Sequence, residues 1–186
     1  EVVSVDEEWR RVEMGLQAVR DADVEVVVSI DTFRSEIVRR AYTCYGAFIV
    51  NDISAGEADA TIIDTVAELG LPYVAMHMRG TPETMQGLTN YKEGVTRGVV
   101  DYFRERVKVL EEAGIAHDKI ILDPGFGFAK TLEQNHVLLA ELDELRALGY
   151  PLLIGLSRKS MIYRAVGITP EESLPGSLAL AWEALR

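Results

Sequence analysis

Cysteine is nearly missing from this sequence: Cys44 is the only one in 186 residues. That excludes a disulfide framework and any metal site built on several thiolates, and it fits a reducing compartment. Histidine is scarce as well. His77, His117 and His136 form no HExxH pair and no close cluster, so no protein-held metal is expected from them. Basic residues are outnumbered, 19 Lys and Arg against 30 Asp and Glu, for a net charge of -11. A nucleic-acid or anionic-membrane surface would want the opposite balance, so neither partner is expected. No apolar run reaches the length needed to cross a bilayer, and the first residues do not read as a signal peptide. The opening Glu1-Val2-Val3, without methionine, suggests a processed or excised start. Linkers, repeats and low-complexity tracts are also missing. Residues 1–186 therefore read as one domain, with a cytoplasmic location expected.

What is present is apolar and periodic. Apolar residues make up 48% of the chain, enough to supply a core. Ser4 with Glu7 reads as a capping box opening a helix to about Arg20. Strands are expected near 25–31, 47–51, 72–77, 119–123 and 151–156, each apolar along its length. Helices are expected between them at 34–45, 57–69, 91–113 and 131–148, with a polar loop at 81–90 that contains Pro82. A short helix then runs to Gly167. Thr169-Pro170-Glu171-Glu172 forms another capping box, and an apolar helix at 178–185 closes the chain. Strands without polar alternation that take turns with helices imply a parallel sheet covered by helices, either a (β/α) barrel or a doubly wound sheet.

Polar residues collect at the carboxyl ends of these strands: Asp31, Asn51, His77, Asp123 and Ser157. In parallel α/β folds that edge binds ligands. Asp31, Asn51 and Asp123 offer acceptors for a ligand with several N–H donors in a row, such as a guanidine-like edge of a heterocycle. Thr32 and Asp52, beside two of them, are expected to cap loops instead. Phe128 and Met76 could wall such a ring. Gly125 and Gly127 would allow a sharp turn or a close backbone approach. After the last strand, Ser157, Arg158, Lys159 and Ser160 place two cations and two hydroxyls at a helix start, an arrangement suited to an anion. The spacing is neither that of a Walker loop nor that of a nucleophile elbow. His77 is expected to be a hydrogen-bonded structural residue, Cys44 a packing residue and Lys130 a solvated charge.

Five motifs stand in order: Ser29-Ile30-Asp31-Thr32, Asn51-Asp52-Ile53-Ser54, Met76-His77-Met78-Arg79-Gly80, Asp123-Pro124-Gly125-Phe126-Gly127-Phe128 and Gly155-Leu156-Ser157-Arg158-Lys159-Ser160. Together they resemble the dihydropteroate synthase family of pterin-binding TIM barrels. The resemblance covers the whole chain, with Ala129 where many members have glycine. It implies an α/β fold, an incomplete (β/α)8 barrel carrying strands three to seven. The family's Asn-x-Thr-Pro-Asp-Ser-Phe and Ser-Thr-Arg-Pro-Gly loops and its final Arg-x-His-Asp strand are not in this sequence, so this segment by itself is expected to be inactive.

The family joins 6-hydroxymethyl-7,8-dihydropterin pyrophosphate to p-aminobenzoate, is a target of sulfonamides, and uses Mg²⁺ whose ligand loop is one of those not in the sequence. By resemblance Asp31, Asn51, Ile53, Met76, Asp123, Gly155 and Lys159 would bind the pterin. Gly127, Phe128, Ser157, Arg158 and Ser160 would face p-aminobenzoate and pyrophosphate. Asp31 and Lys159 would be the catalytic pair, and the complete protein would be a homodimer. A methyltetrahydrofolate–corrinoid methyltransferase shares the pterin platform, and a non-catalytic pterin-binding domain is a third reading. The Ser-Arg-Lys-Ser anion site favours the synthase.

Overall fold

The structure is a computed structural model that describes residues 3–81 and 84–186. The residues Glu1 and Val2, on which the reading of the start rests, and Pro82 of the polar loop lie outside that description. Four strands carry the frame: β1 (Ser29–Asp31), β2 (Ile49–Asp52), β3 (Tyr73–Met76) and β4 (Ile120–Asp123). They are hydrogen-bonded in chain order, β1-β2-β3-β4, with β1 parallel to β2 and β2 parallel to β3. Around them run α1 (Val5–Asp21), α2 (Ser35–Tyr45), α3 (Ile62–Leu69), α4 (Val95–Glu112), α5 (Leu132–Ala140), α6 (Leu142–Arg146), α7 (Ser160–Val166) and α8 (Leu174–Ala184). Among the described residues no helix is long and apolar enough to cross a membrane.

Backbone packing divides the chain into two compact units. The first comprises Glu1–Ala75 and Lys108–Ile120. Its core is Ile30, Ile37, Val38, Val50, Ile62, Val66 and Tyr73, all nearly or fully buried. The register pairs Asp31 with Asn51, so these two strand-end residues stand in one row. The second unit comprises Met76–Val107 and Ile121–Arg186. It buries Val99, Phe103, Leu122, Phe126, Leu138, Leu145 and Met161.

Local chemistry explains most of the element ends. Thr131 and Gln134 make both halves of a capping box at the start of α5, and Thr169 with Glu172 does the same ahead of α8. Gly46, Gly70 and Gly167 end α2, α3 and α7 with positive φ, a region closed to most residues with a Cβ.

Several expectations need correction. The first strand is only three residues long, and Val24, Val26 and Val27 are 53%, 56% and 82% exposed. A strand needs a partner: β2 begins at Ile49, whose N–H meets the Val28 carbonyl, so residues earlier than Val28 face no ladder. The fifth strand reduces to a parallel bridge between Leu122 and Leu152. Pro151 has no N–H to donate, and only two backbone bonds tie the segment to Leu122.

The helix expected at 57–69 starts at Ile62, because Asp52 and Asp59 satisfy the preceding backbone in a loop. Asp52 accepts from Ser54 and Gly56, and Asp59 accepts from Ser35 and Thr61. The helix at 91–113 starts later, after Gly94 at φ +90°. The helix at 131–148 breaks at Glu141, where the backbone leaves the helical region at φ -107° and ψ 25°. The last helix starts earlier, at Leu174. Only half of the Ser4 box forms: Ser4 accepts the Glu7 N–H, while the Glu7 carboxylate holds Arg10 and Arg11. Cys44 is exposed on α2, not packed.

Candidate active site

In the first unit, neighbouring polar residues at two strand ends divide their labour. Thr32 and Asp52 are consumed by the fold. Thr32 Oγ1 donates to Glu8 and accepts the Arg34 N–H, and the Arg34 guanidinium pairs with the same Glu8 carboxylate. Asp52, fully buried, accepts from the Ser54 and Gly56 N–H groups and from the Tyr73 hydroxyl at 2.7 Å. Their register partners one residue back are uncommitted: among the described residues nothing donates to the Asp31 carboxylate or bonds to the Asn51 carboxamide. Asp31 is exposed at the strand end, yet desolvation by the surrounding protein, then the negative charges of Asp52 and Glu8, hold its carboxyl above its ordinary value. Ile53 follows, half-buried.

In the second unit the strand-end residues converge on one turn. Asp123 closes β4 and is 7% exposed; its Oδ1 accepts the Gly125 N–H at 2.8 Å, and no described residue donates to Oδ2. Burial pushes this carboxyl up, opposed by the Gly125 bond and by the positive charges of Lys159 and Lys130. The chain then turns through Gly125 and Gly127, both at positive φ. Lys159 reaches back across Gly155 and Gly127. Its Nζ donates to the Phe126 carbonyl at 2.6 Å and stands 5.3 Å from the centre of the Phe128 ring. Burial lowers the ammonium's pKa, and Asp123 pulls it back up. Met76 is buried within this unit, and Phe128 is half-buried.

The anion-site residues lie more openly. Ser157 and Arg158 are exposed, and Ser160 is the first residue of α7. Arg158 adopts φ +51°, with its N–H held by Ser177 Oγ at 2.9 Å. That bond leaves the guanidinium on the surface.

A family model described as pterin binding enzyme matches residues 1–186. The chain belongs to the pterin-binding enzyme family. It is 46% identical over 180 residues to the dihydropteroate synthase of Escherichia coli (strain K12), covering 96% of this chain and 62% of that one. Among solved structures, the Yersinia pestis dihydropteroate synthase in a sulfonamide drug complex superposes with a TM-score of 0.92 at 35% identity. That match covers 100% of this chain and 66% of the other. The Xanthomonas albilineans dihydropteroate synthase with 4-aminobenzoic acid gives 0.88 at 38% identity, over 99% and 64%. The chain therefore spans less than two thirds of the length of these relatives, and its α/β fold is that of part of a (β/α) barrel.

Two residues of this pterin-binding family member escaped the sequence reading. Lys130, expected to be solvated, is 4% exposed, and its Nζ donates to the carbonyls of Gly125 and Phe128 and to His77 Nδ1, each at 3.0 Å. The correction has a simple cause. The stem folds back so that the ammonium reaches the carbonyls of its own turn and the His77 ring, which replace water as its acceptors. Asn135, 2% exposed, accepts the Gly127 N–H at 2.7 Å and donates to the Thr131 carbonyl. Nothing in composition or spacing separates either from a surface residue. His77 is the expected structural residue. It is 1% exposed, its N–H donates to the Asp123 carbonyl at 2.8 Å, and burial, then the positive charges of Lys130 and Arg79, pushes the imidazole's pKa down.

Proposed function

We propose that this chain forms strands three to seven of a dihydropteroate synthase, as one pterin-binding domain over residues 1–186. The reaction condenses 6-hydroxymethyl-7,8-dihydropterin pyrophosphate with p-aminobenzoate to give 7,8-dihydropteroate and pyrophosphate. The observation that carries this reading is the Asp123–Lys159 arrangement. A buried carboxylate with one free oxygen suits adjacent N–H donors of a pterin, and an ammonium beside an aromatic ring suits an anionic arylamine.

Asp123 binds the pterin edge, with Met76 as apolar wall. Asp31 and Asn51, uncommitted in their own unit, add an acceptor and a carboxamide, and Ile53 and Gly155 complete the pterin contacts. In the proposed step the methylene C–O bond breaks and its electron pair leaves with pyrophosphate. The arylamine nitrogen then forms the new C–N bond and loses a proton. Fixed negative charge such as Asp31 favours the intervening cation. Arg158, Ser157 and Ser160 face the departing anion, and Gly127, Phe128 and Lys159 the p-aminobenzoate. No protein nucleophile is needed, and none of these residues forms a Ser–His or Cys–His pair.

Among the described residues no group of three His, Cys, Asp or Glu side chains could hold a metal, so no step is assigned to magnesium on these residues. A homodimer and a cytoplasmic location belong to the same proposal, supported by the family likeness and the lone cysteine.

The test is an assay of the full-length protein for pyrophosphate release that depends on p-aminobenzoate. The expected result is such release, with kcat/KM for both substrates reduced about a hundredfold or more in Lys159→Ala. Lack of p-aminobenzoate dependence, as a corrinoid methyltransferase would show, overturns the reading.

A further inference from the structure

We propose that Lys130 is a positioning residue: braced by the His77 ring, it fixes the Gly125–Phe128 turn so that the Phe126 carbonyl and the Phe128 ring hold Lys159 in place for the arylamine substrate. This inference rests on the synthase reading and adds to it a residue that touches neither substrate.

A lysine is among the residues least often fully buried, because its ammonium loses hydration. Such burial is tolerated only when every N–H finds an acceptor. In its charged form Lys130 meets that condition: three N–H groups face three acceptors, the Gly125 carbonyl, the Phe128 carbonyl and His77 Nδ1. A leucine or methionine would fill the same space at less cost, so the polar contacts are what this position supplies. Both carbonyls belong to the turn that carries the site. With these two drawn inward to Lys130, the Phe126 carbonyl between them is the one that meets Lys159 Nζ at 2.6 Å. The Phe128 ring, 5.3 Å from the same Nζ, follows from the peptide that Lys130 anchors.

The third acceptor is itself held. The His77 ring packs edge-on against Tyr102 with centroids 4.9 Å apart, and its backbone N–H is tied to Asp123. A neutral His77 that accepts at Nδ1 carries its proton on Nε2. Lys130 is thus clamped between His77, which directly follows β3, and the turn that follows β4.

Three variants of the full-length protein test this, each first shown to be folded by its melting transition. In Lys130→Met the KM for p-aminobenzoate is expected to rise about tenfold or more, while the KM for the pterin pyrophosphate stays within about threefold. His77→Leu removes one acceptor and leaves both carbonyls, so the same constant should rise by about threefold to fivefold. His77→Gln restores an acceptor and should return it to within about twofold of wild type. An unchanged p-aminobenzoate KM in Lys130→Met, an equal loss for both substrates, or His77→Gln no better than His77→Leu overturns the inference. If Lys130→Met fails to fold, the His77 pair decides alone. A wild-type protein without p-aminobenzoate-dependent turnover overturns the synthase reading and this inference together. Turnover in the wild type with unmoved constants in the variants overturns this inference only.

Discussion

Asp123 shows how a residue can be kept available inside a protein. One oxygen is spent on the Gly125 N–H, which stabilises the carboxylate and fixes its rotamer, while burial keeps the other dry. Under the proposed reading, removing the side chain leaves the pterin's donors with no acceptor in a desolvated site. Asp123→Ala is expected to weaken binding of a pterin analogue to the full-length protein by about 2–5 kcal/mol, measured by titration calorimetry. An affinity within about 0.5 kcal/mol of wild type would remove Asp123 from the binding set. The strand-end residues were legible one by one. Thr32 and Asp52 could be assigned to loop capping from position alone, and their hydrogen bonds agree, while among the described residues no hydrogen bond engages the Asp31 or Asn51 side chain. Lys130 could not be assigned: its sequence neighbours are those of an exposed turn, and only the path of its own stem buries it.

The Gly125–Phe128 turn depends on backbone that few residues could supply. Gly125 has φ +66°, and a Cβ there would run into the His77 carbonyl. Gly127 has φ +84°, but a Cβ would meet only the Lys159 stem, at an ordinary 3.8 Å. Gly127→Ala therefore pays mainly the left-handed backbone cost, about 1–2 kcal/mol. Gly125→Ala adds a clash with backbone that cannot yield, for a total of about 3–4 kcal/mol. Urea unfolding of the two variants should preserve that order. The sequence pattern marked both glycines as permissive without ranking them, since the ranking depends on what lies opposite. The strands show the same limit: 24–31 and 151–156 have β-rich composition, yet a ladder forms only where a partner presents N–H and C=O groups.

For the molecule as a whole, a buried lysine gives stability a pH dependence of known sign. Burial first, then repulsion from Lys159, lowers the pKa of Lys130 to about 7, with Asp123 opposing. Unfolded, the same group titrates near 10.4. Between those values the unfolded chain binds more protons than the native one, so stability rises with pH from about 7 to about 10. At pH 7 and below the penalty is fully present. His77, also depressed by burial, acts with the same sign below its unfolded value near 6.5. The difference in Tm between Lys130→Met and the parent should therefore become steadily less favourable to the variant as pH is raised from 7 to 10. Melting curves across that range check it, and a difference that does not change with pH would show that Lys130 stays charged throughout.

The sequence by itself determined the alternation of strand and helix, the parallel character of the sheet and the family, because apolar runs, capping boxes and five ordered motifs are local signals. It also marked Asp31 and Asp123, which do end β1 and β4, whereas β2 runs one residue past Asn51 to Asp52 and β3 stops at Met76, one residue short of His77. Tertiary structure decided the rest. Asp31 and Asn51 remain uncommitted because Glu8, Arg34 and Tyr73 occupy their neighbours. Lys159 lies over Phe128 because the Phe126 carbonyl takes its ammonium. Lys130 is buried because three acceptors from two segments far apart in sequence meet at one nitrogen. Hydrogen bonds between such distant segments leave no periodicity to read, and only the folded chain shows which donor has found which acceptor.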